Sequence, residues 1–502
     1  MNSMSGDPPI SVDAHGLTSR RGAARLVSLD VFRGITIAGM LLVNDPGKGE
    51  AYAALEHSPW HGWTPTDLVF PFFLFIVGVA IPFSMARRAA GGSRSQLLGH
   101  VWIRTLSLFM LGALLNAFTY SGVALTLGPR AAGVPLFTLG RGLPEGFLLL
   151  AMLRAVAWAF IPVAIVLLLV PYKSPRLRWV MPVGLTILFC LLMGAIAFAN
   201  HHAWAHGMPA DASIGTGIFR PDRYRIPGVL QRIAICYGIA ATAAIFMGRW
   251  MLLAMLFLLL AVYSVVMLAH NPGTPAPSLT KEDNRARQID VAVFDRYHTV
   301  DGRQEIVWKH TYNPYPDPEG LLSTIPAIGS VLLGILVGMG LRSESPAAER
   351  CARLMAWGVV VTLVGQALNN WLMPINKSIW TPSFVFFCAG LAMLGLGALF
   401  YVIDVRGRRG WALPLVIYGM NAIAAFVAAG LLVRIGLVVK VADEKGTRSV
   451  ITIMQQTAAG WVNHFGAIAT PQNTSLAYAL LFVLAVWILM ALLYALRIFV
   501  KV

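Results

Sequence analysis

Long apolar runs recur along almost the whole chain, and they constrain its fold more than any other feature. A helix needs about 20 mostly apolar residues to cross the hydrocarbon core of a bilayer. Only 12% of the residues are charged, whereas soluble proteins carry about 25%. We therefore predict an all-α fold, a polytopic integral membrane helical bundle with about 11–12 transmembrane helices. The twelve candidate spans are 26–44, 66–86, 98–119, 147–171, 177–199, 227–247, 250–269, 321–341, 350–373, 380–403, 411–435 and 475–499.

Basic residues outnumber acidic ones, which gives a formal net charge of +16. In a soluble protein that excess would suggest a nucleic-acid partner, but here most of the basic residues lie in short loops between apolar runs. Cytoplasmic loops of membrane proteins carry such an excess. With a cytoplasmic N-terminus the charges alternate correctly, so we predict no nucleic-acid partner and both termini in the cytoplasm. The predicted inside loops and helix ends contain Arg20, Arg21, Arg25, Arg87, Arg88, Arg94, Arg104, Lys173, Arg176, Arg178, Arg249, Arg342, Arg350, Arg353, Arg406, Arg408, Arg409, Arg497 and Lys501.

Two polar regions and four cysteines complete the domain prediction. Residues 1–25 are polar and rich in Gly, Ser and Pro, without a cleavable-signal pattern, so we expect a disordered cytoplasmic tail. We expect residues 26–502 to form a single transmembrane domain, with the polar loop 270–320 as a small periplasmic cap over the outer mouth. No metal site and no disulfide framework are expected, because the cysteines lie in apolar runs without metal-ligand spacing: Cys190, Cys236, Cys351 and Cys388.

Polar side chains within the predicted spans are concentrated in the half of the bundle away from the cytoplasm. Ionisable and amide side chains are costly in lipid and are usually functional there. Small polar residues also join neighbouring helices, so each asparagine alone has a structural explanation. The bias toward one side favours a polar chamber that opens outward. The residues are Asn44, Asn116, Arg154, Gln231, Arg232, Asn369 and Asn370, with Asn376 and Lys377 just outside the membrane and Asn421 near the middle of the eleventh span.

The first outside loop contains two histidines, two tryptophans and three acids within about twenty residues. A histidine can take and return a proton near neutral pH, so His57 and His61 are candidate bases. Thr64 and Asp67 fit a capping box at the start of the second span, which explains Asp67 without catalysis. A carboxylate beside His57 would also fix its tautomer. The two tryptophans are either interfacial anchors or substrate contacts.

Several short motifs follow one another from residue 25 to about residue 435. The opening motif is RLVSLDVFRG at 25–34, and the histidine motif is HSPWHGWT at 57–64. The others are VN at 43–44, DLVFP at 67–71, GVLQR at 228–232, DPEGLLSTI at 317–325, NKSIWTPS at 376–383 and GMN at 419–421. In sequence and order, these motifs resemble those of the heparan-alpha-glucosaminide N-acetyltransferase family, the lysosomal transmembrane enzyme and its bacterial relatives.

The resemblance implies an enzyme that moves an acetyl group from cytoplasmic acetyl-CoA to the amine of a glucosamine-type sugar on the other side of the membrane. The family's essential histidine corresponds to His57, and its neighbouring asparagine to Asn44. We expect His57 to act as a base or to carry the acetyl group, with Asp67 orienting it and Asn44 donating to the developing oxyanion. Contacts to the acetyl-CoA donor, including its phosphates, are expected from Arg154, Gln231, Arg232, Asn376, Lys377 and Asn421.

A sugar transporter or permease of the inner membrane is the main alternative, because twelve helices around a polar chamber also suit transport. The absence of a visible internal repeat argues weakly against it. An O-acyltransferase acting on a surface polysaccharide is a third, weaker interpretation. We expect a multi-pass protein of a bacterial inner membrane, with membrane lipid and an amino-sugar acceptor as partners. A homo-oligomer is compatible with the resemblance.

Overall fold

A computed structural model of the chain describes residues 26–47, 50–89, 93–118, 123–127, 137–139, 148–170, 172, 174–205, 220–269, 277–300, 303–311, 316–443, 446–466 and 469–500. The predicted tail, residues 1–25, lies outside these residues.

Eleven helices in the described residues are long and apolar enough to cross a membrane. Two shorter helices pass the same test together but are bent by 80° relative to each other, so the count is twelve if this pair is one span. The predicted all-α membrane bundle of 11–12 spans is therefore confirmed. The helices are α1 Val27–Asn44, α2 Val69–Ala89, α3 Arg94–Ala117, α4 Leu148–Leu169, α5 Pro175–Ala205, α6 Val229–Phe246, α7 Arg249–Leu268, α8 Arg285–Phe294, α9 Leu321–Leu341, α10 Ala347–Trp371, α11 Pro382–Phe400, α12 Leu413–Met420, α13 Ala422–Val438, α14 Val450–Asn463 and α15 Pro471–Ala495.

Local sequence signals fix where several of these helices begin. Before α3, Ser93 Oγ accepts a hydrogen bond from the backbone N–H of Gln96 (3.3 Å), whose side chain accepts one from the N–H of Ser93 (3.1 Å). Before α15, Thr470 Oγ1 accepts from the N–H of Asn473 (3.2 Å), and Pro471 occupies the first helical position. Such caps satisfy N–H groups that have no partner within the helix.

Glycines allow the helices at the centre of the bundle to cross closely. A Cβ atom on Gly78 of α2 would lie 2.1 Å from the carbonyl oxygen of Val331 in α9, and one on Gly34 of α1 would lie 1.9 Å from that of Leu415 in α12. No larger side chain fits at these contacts without moving a backbone. Small residues commonly permit such crossings in membranes. Helix α9, most of whose residues are buried, packs against α2, α6, α7 and α11.

Short strands occur between some of the helices, although the sequence analysis predicted none. Strands β1 Val123–Leu127, β2 Phe137–Leu139, β5 Val439–Asp443 and β6 Gly446–Ser449 form a sheet in the order β2-β1-β5-β6. The β1–β5 pair is parallel, with Leu125 opposite Val439. Strands β3 Asp295–Val300 and β4 Arg303–Lys309 form an antiparallel hairpin. Each strand is only three to seven residues long.

The described part of loop 270–320 contains α8 and the β3–β4 hairpin, and we call the end of the bundle that carries it the cap end. Asp290 of α8 joins it to the membrane helices, because its Oδ1 accepts a hydrogen bond from the N–H of Leu321 at the start of α9 (2.7 Å). The indole of Trp60 donates to the carbonyl of Leu279 (3.0 Å). The loop after α1, the cap and the loop between α10 and α11 therefore meet at this end.

Candidate functional site

The loop after α1 reaches α2 through a short 3-10 helix, Pro65–Leu68. Thr64 precedes this helix, and its backbone N–H donates to Oδ2 of Asp67 (3.0 Å). The capping box predicted from Thr64 and Asp67 is therefore confirmed. Its effect is to fix the carboxylate of Asp67 at the cap end, where 1% of the side chain is exposed.

The carboxylate of Asp67 also contacts the turn that contains the first histidine. Its Oδ1 lies 2.7 Å from Nδ1 of His57, and its Oδ2 accepts from the N–H of Ser58 (3.0 Å). An ionised carboxylate only accepts hydrogen bonds, so Nδ1 donates to Asp67 and, in the neutral imidazole, Nε2 is the acceptor. His57 is half-exposed, whereas Asp67 is buried. This contact fixes the orientation of the imidazole relative to Asp67.

Lys377 completes this cluster from the loop between α10 and α11. Its Nζ lies 3.0 Å from Nδ1 and 3.3 Å from Nε2 of His57, and 3.5 Å from Oδ1 of Asp67. Burial lowers the pKa of Lys377, and the negative charges of Asp67 and Glu319 oppose that decrease. We expected Lys377 at a phosphate of CoA, but the structure places it beside the imidazole of His57.

Asn376 brings the two loops together. Its Nδ2 donates to the carbonyl of Trp60 (2.8 Å), and its Oδ1 accepts from the N–H of Ile379 (3.1 Å). Nearby, the N–H of Gly62 donates to the carbonyl of Ile375 (2.8 Å), with Gly62 at φ +94°. The amide of Asn376 is thus engaged with backbone groups, and it holds the neighbouring Lys377 against the histidine loop.

A cavity of about 260 Å³ lies beside this cluster. It extends from His57 to Thr36, which lies eight residues before the end of α1 and so about 12 Å deeper in the bundle. Most of its walls are apolar, and Asn44 lines it at the end of α1. The other lining residues include Met40, Val43, Ser58, Trp60, Thr66, Asp67, Val69, Phe70, Phe73, Val229, Leu230, Ile233, Pro318, Glu319, Lys377, Ser378, Ile423 and Phe426.

An acid that the sequence analysis did not single out forms part of the cavity wall. Glu319 lies just before α9, and its Oε2 accepts from Nη2 of Arg225 (2.5 Å). The same guanidinium makes a two-pronged contact with Asp317, at 2.7 and 3.1 Å. The DPEG motif at 317–320 was a signal for this acid, but nothing local in the sequence places it near a loop some 260 residues earlier.

The cavity brings together four of the nine predicted site residues: His57, Asn44, Asp67 and Lys377. Arg232 points away from it, between α6 and α9. There its Nη2 donates to the carbonyl of Gly320 (3.1 Å) and to the hydroxyl of Ser323. The guanidinium also stacks on Trp380, with 5.2 Å between Cζ and the ring centroid.

The remaining predicted residues also lie outside the cavity lining. The side chain of Gln231 packs against Gly112 and Gly228 between α3 and α6. Arg154 is buried in α4. Asn421 lies at the bend between α12 and α13, where its side chain holds the backbone of Ile498 (3.1 Å) and Val500 (2.9 Å). These side chains contact other parts of the bundle, and Asn421 lies beside the C-terminal residues rather than on the outer side.

Residues 25–212 match the sequence profile of a family described as heparan-alpha-glucosaminide N-acetyltransferase, catalytic. The heparan-alpha-glucosaminide N-acetyltransferase of Mus musculus is 28% identical over 446 residues, which cover 85% of this chain and 57% of the mouse protein. The chain is thus similar in sequence to the heparan-alpha-glucosaminide N-acetyltransferases. The enzyme of that name from Homo sapiens is 25% identical over 479 residues, with the same two coverages. The resemblance inferred from the motifs is thus confirmed.

The chain spans 57% of the length of these curated relatives. The profile match includes α1 to α5, and so the loop that contains His57 and Asp67. Within the described residues, no group of three or more His, Cys, Asp or Glu side chains is arranged to hold a metal ion.

Proposed function

We propose that the protein is a transmembrane N-acetyltransferase of a bacterial inner membrane. In this proposal the acetyl group comes from cytoplasmic acetyl-CoA, and the acceptor is the amine of a glucosamine-type sugar in the periplasm. The observation that carries the proposal is the pairing of buried Asp67 with His57 beside a cavity that enters the bundle. The relatives' name supports the reaction class and the kind of acceptor.

Proton transfer at His57 is the step that the geometry supports best. As the amine attacks the thioester carbonyl, the C–N bond forms, the C–S bond breaks and two protons leave the original ammonium. Nε2 takes one of them and delivers it to the sulfur of CoA, while the other goes to solvent. Asp67 stabilises the imidazolium that forms in between, as the carboxylate of a catalytic triad does.

In this proposal, two side chains stabilise the oxyanion that develops on the acetyl oxygen. Asn44 lines the cavity, and Lys377 Nζ lies 3.3 Å from Nε2, so a carbonyl that reaches Nε2 also comes near this ammonium. Donors that are positioned before the reaction contribute several kcal/mol to the transition state, about 3 kcal/mol for a single donor. In this proposal Lys377 acts on the acetyl group rather than on a phosphate.

The size and polarity of the cavity suit the acetyl-pantetheine arm of acetyl-CoA better than its nucleotide. Ligand pockets have volumes of about 300–1,000 Å³, whereas this cavity has about 260 Å³ and mostly apolar walls. It suits an acetyl-pantetheine arm, with the nucleotide outside it. The arm would enter from the cytoplasmic half, because the cavity reaches down to Thr36, Ile423 and Phe426.

Nε2 of His57 also suits a covalent route in which the imidazole first carries the acetyl group. The thioester would then acetylate Nε2 with release of CoA, and the amine would take the acetyl group in a second step. A burst of CoA from acetyl-CoA without acceptor, with stoichiometry near one per site, would indicate this route. Release of CoA only in the presence of an amine would indicate direct transfer.

The test is an acetylation assay with purified protein in detergent. Acetyl-labelled acetyl-CoA and glucosamine should yield labelled N-acetylglucosamine, identified by mass spectrometry, and heat-treated protein serves as the control. A protein that forms no N-acetylated product with any of a panel of amino sugars, but accumulates them unchanged in proteoliposomes, would be a transporter and not this enzyme.

A further inference from the structure

The reaction proposed above gives no role to one of the acids that line the cavity. Of the described residues that line the cavity, two are acids, Asp67 and Glu319. The oxygens of Asp67 already receive contacts from His57, Lys377, Ser58 and Thr64. A carboxylate offers about four acceptor positions, so Asp67 has no capacity left for a ligand.

Glu319 differs from Asp67 in this respect. The hydrogen bond that holds its side chain, from Arg225, ends on Oε2, and no hydrogen bond within the described part of the chain ends on Oε1. Oε1 is also absent from the enclosed polar atoms without a partner, so it is open to the cavity or to solvent. One oxygen is thus anchored while the other remains able to accept.

The position of this free oxygen is fixed before any ligand binds. Asp317 Oδ1 accepts from the N–H of Glu319 (3.0 Å), and the N–H of Gly320 donates to the carbonyl of Asp317 (2.8 Å), which makes a tight turn. Arg225 holds both carboxylates of this turn, and 10% of the Glu319 side chain is exposed. A side chain held in this way loses little conformational entropy when a ligand binds.

Charge complementarity indicates what Glu319 binds. It lies close enough to Lys377 to affect it electrostatically, and Lys377 contacts His57, so Glu319 is near the reacting atoms. A free carboxylate oxygen is a strong acceptor for an ammonium group. A hydroxyl or an N-acetyl group in the same place would form only a neutral hydrogen bond.

We propose that Oε1 of Glu319 binds the ammonium of the acceptor, and so makes the site selective for free amino sugars. This inference rests on the proposed function for its substrate class. Acetylation removes the positive charge that Glu319 recognises, so the product is held less tightly than the acceptor. The same carboxylate therefore contributes both to acceptor selection and to product release.

The test is the equilibrium affinity of the purified full-length protein for glucosamine and for N-acetylglucosamine, which requires no turnover. Glu319→Gln keeps the shape and an oxygen for Arg225 but removes the charge. Charge-assisted hydrogen bonds are about twice as strong as neutral ones, so the Kd for glucosamine should rise about 10-fold, with little change for N-acetylglucosamine. Calorimetric titration measures both affinities.

Asp222→Asn is the matched control, because Asp222 is also an acid paired with an arginine, Arg220, but does not line the cavity. It should leave the affinities for both sugars unchanged. Equal affinity of wild type and Glu319→Gln for glucosamine would overturn the inference, as would an equal loss for both sugars. Failure of the proposed function would appear separately, as wild-type protein that binds glucosamine without acetylating it.

Discussion

Replacing Asp67 by asparagine separates the structural role of this side chain from its effect on His57. In the wild type one oxygen faces Nδ1 of His57 and the other accepts from Ser58 and Thr64. An asparagine retains one oxygen for the two backbone N–H groups, since these hold the start of α2. Its NH2 group then faces the imidazole and donates to Nδ1.

The substitution therefore reverses the tautomer of the imidazole. Nε2 acquires the proton, so His57 can neither accept a proton from the amine nor attack the thioester there. Loss of a general base costs about 10²–10⁴-fold in rate, and we expect kcat for acetyl transfer to fall within that range. Stability should fall by about 1–3 kcal/mol, because a charged acceptor buried among donors becomes neutral.

Acetylation kinetics and thermal unfolding of the same preparations measure the two effects. Thr64→Val is the control, because it removes a contact to Asp67 (3.2 Å) and one to the carbonyl of Glu56 (2.6 Å) without touching His57. It should lower the melting temperature and change kcat by less than about threefold, since Asp67 keeps its contacts to His57 and to the backbone N–H groups of Ser58 and Thr64. A folded Asp67→Asn protein with wild-type kcat would refute the role of the tautomer.

Three further predictions concern topology, stability and packing. Cysteine introduced at Ala53 should react with a membrane-impermeant thiol reagent in cells with a permeabilised outer membrane, and cysteine at Gly410 should not; the opposite labelling would invert the proposed orientation. Burial raises the pKa of Asp45 to about 6, so its protonated form favours the folded state. The free energy of unfolding should therefore fall as pH rises from about 4 to 6. Asp45→Asn should reduce this fall and raise the melting temperature at pH 7.5. If the variant and the wild type showed the same dependence of stability on pH, the burial of this acid would be contradicted. Gly78→Ala should lower the melting temperature, because the added Cβ meets the backbone of α9 at 2.1 Å, whereas Gly184→Ala, with nothing within 4 Å, should not; equal melting temperatures would argue against the close crossing.

Much of the architecture could be predicted from the sequence, because the membrane imposes a simple rule. Each apolar run of about 20 residues must satisfy its backbone as a helix, and the spans observed follow the predicted runs. The bend at Asn421 could not be predicted, because residues 411–435 are apolar on both sides of it. Its cause is tertiary, since Asn421 holds the backbone of residues 498 and 500.

The candidate site was predictable where its parts are close in sequence. Thr64 and Asp67 are three residues apart in a capping box, and His57 lies in the adjacent turn, so local rules place them together. By contrast, the depth of Arg232 follows from counting residues, but the direction of its side chain depends on how α6 packs. Val229, Leu230 and Ile233 line the cavity, and Arg232 faces α9 instead. Glu319 was missed for a similar reason, because only tertiary folding brings it there.

His57 is the side chain on which the proposed acetyl transfer depends most directly. The decisive measurement is the rate of N-acetylglucosamine formation by purified His57→Ala, compared with wild type and with His61→Ala, together with the affinity of each protein for acetyl-CoA. We predict a loss of about 10²–10⁴-fold or more for His57→Ala, with acetyl-CoA binding retained, and a milder loss for His61→Ala. Near-normal acetylation by His57→Ala, with His61→Ala inactive, would contradict the assignment of the base.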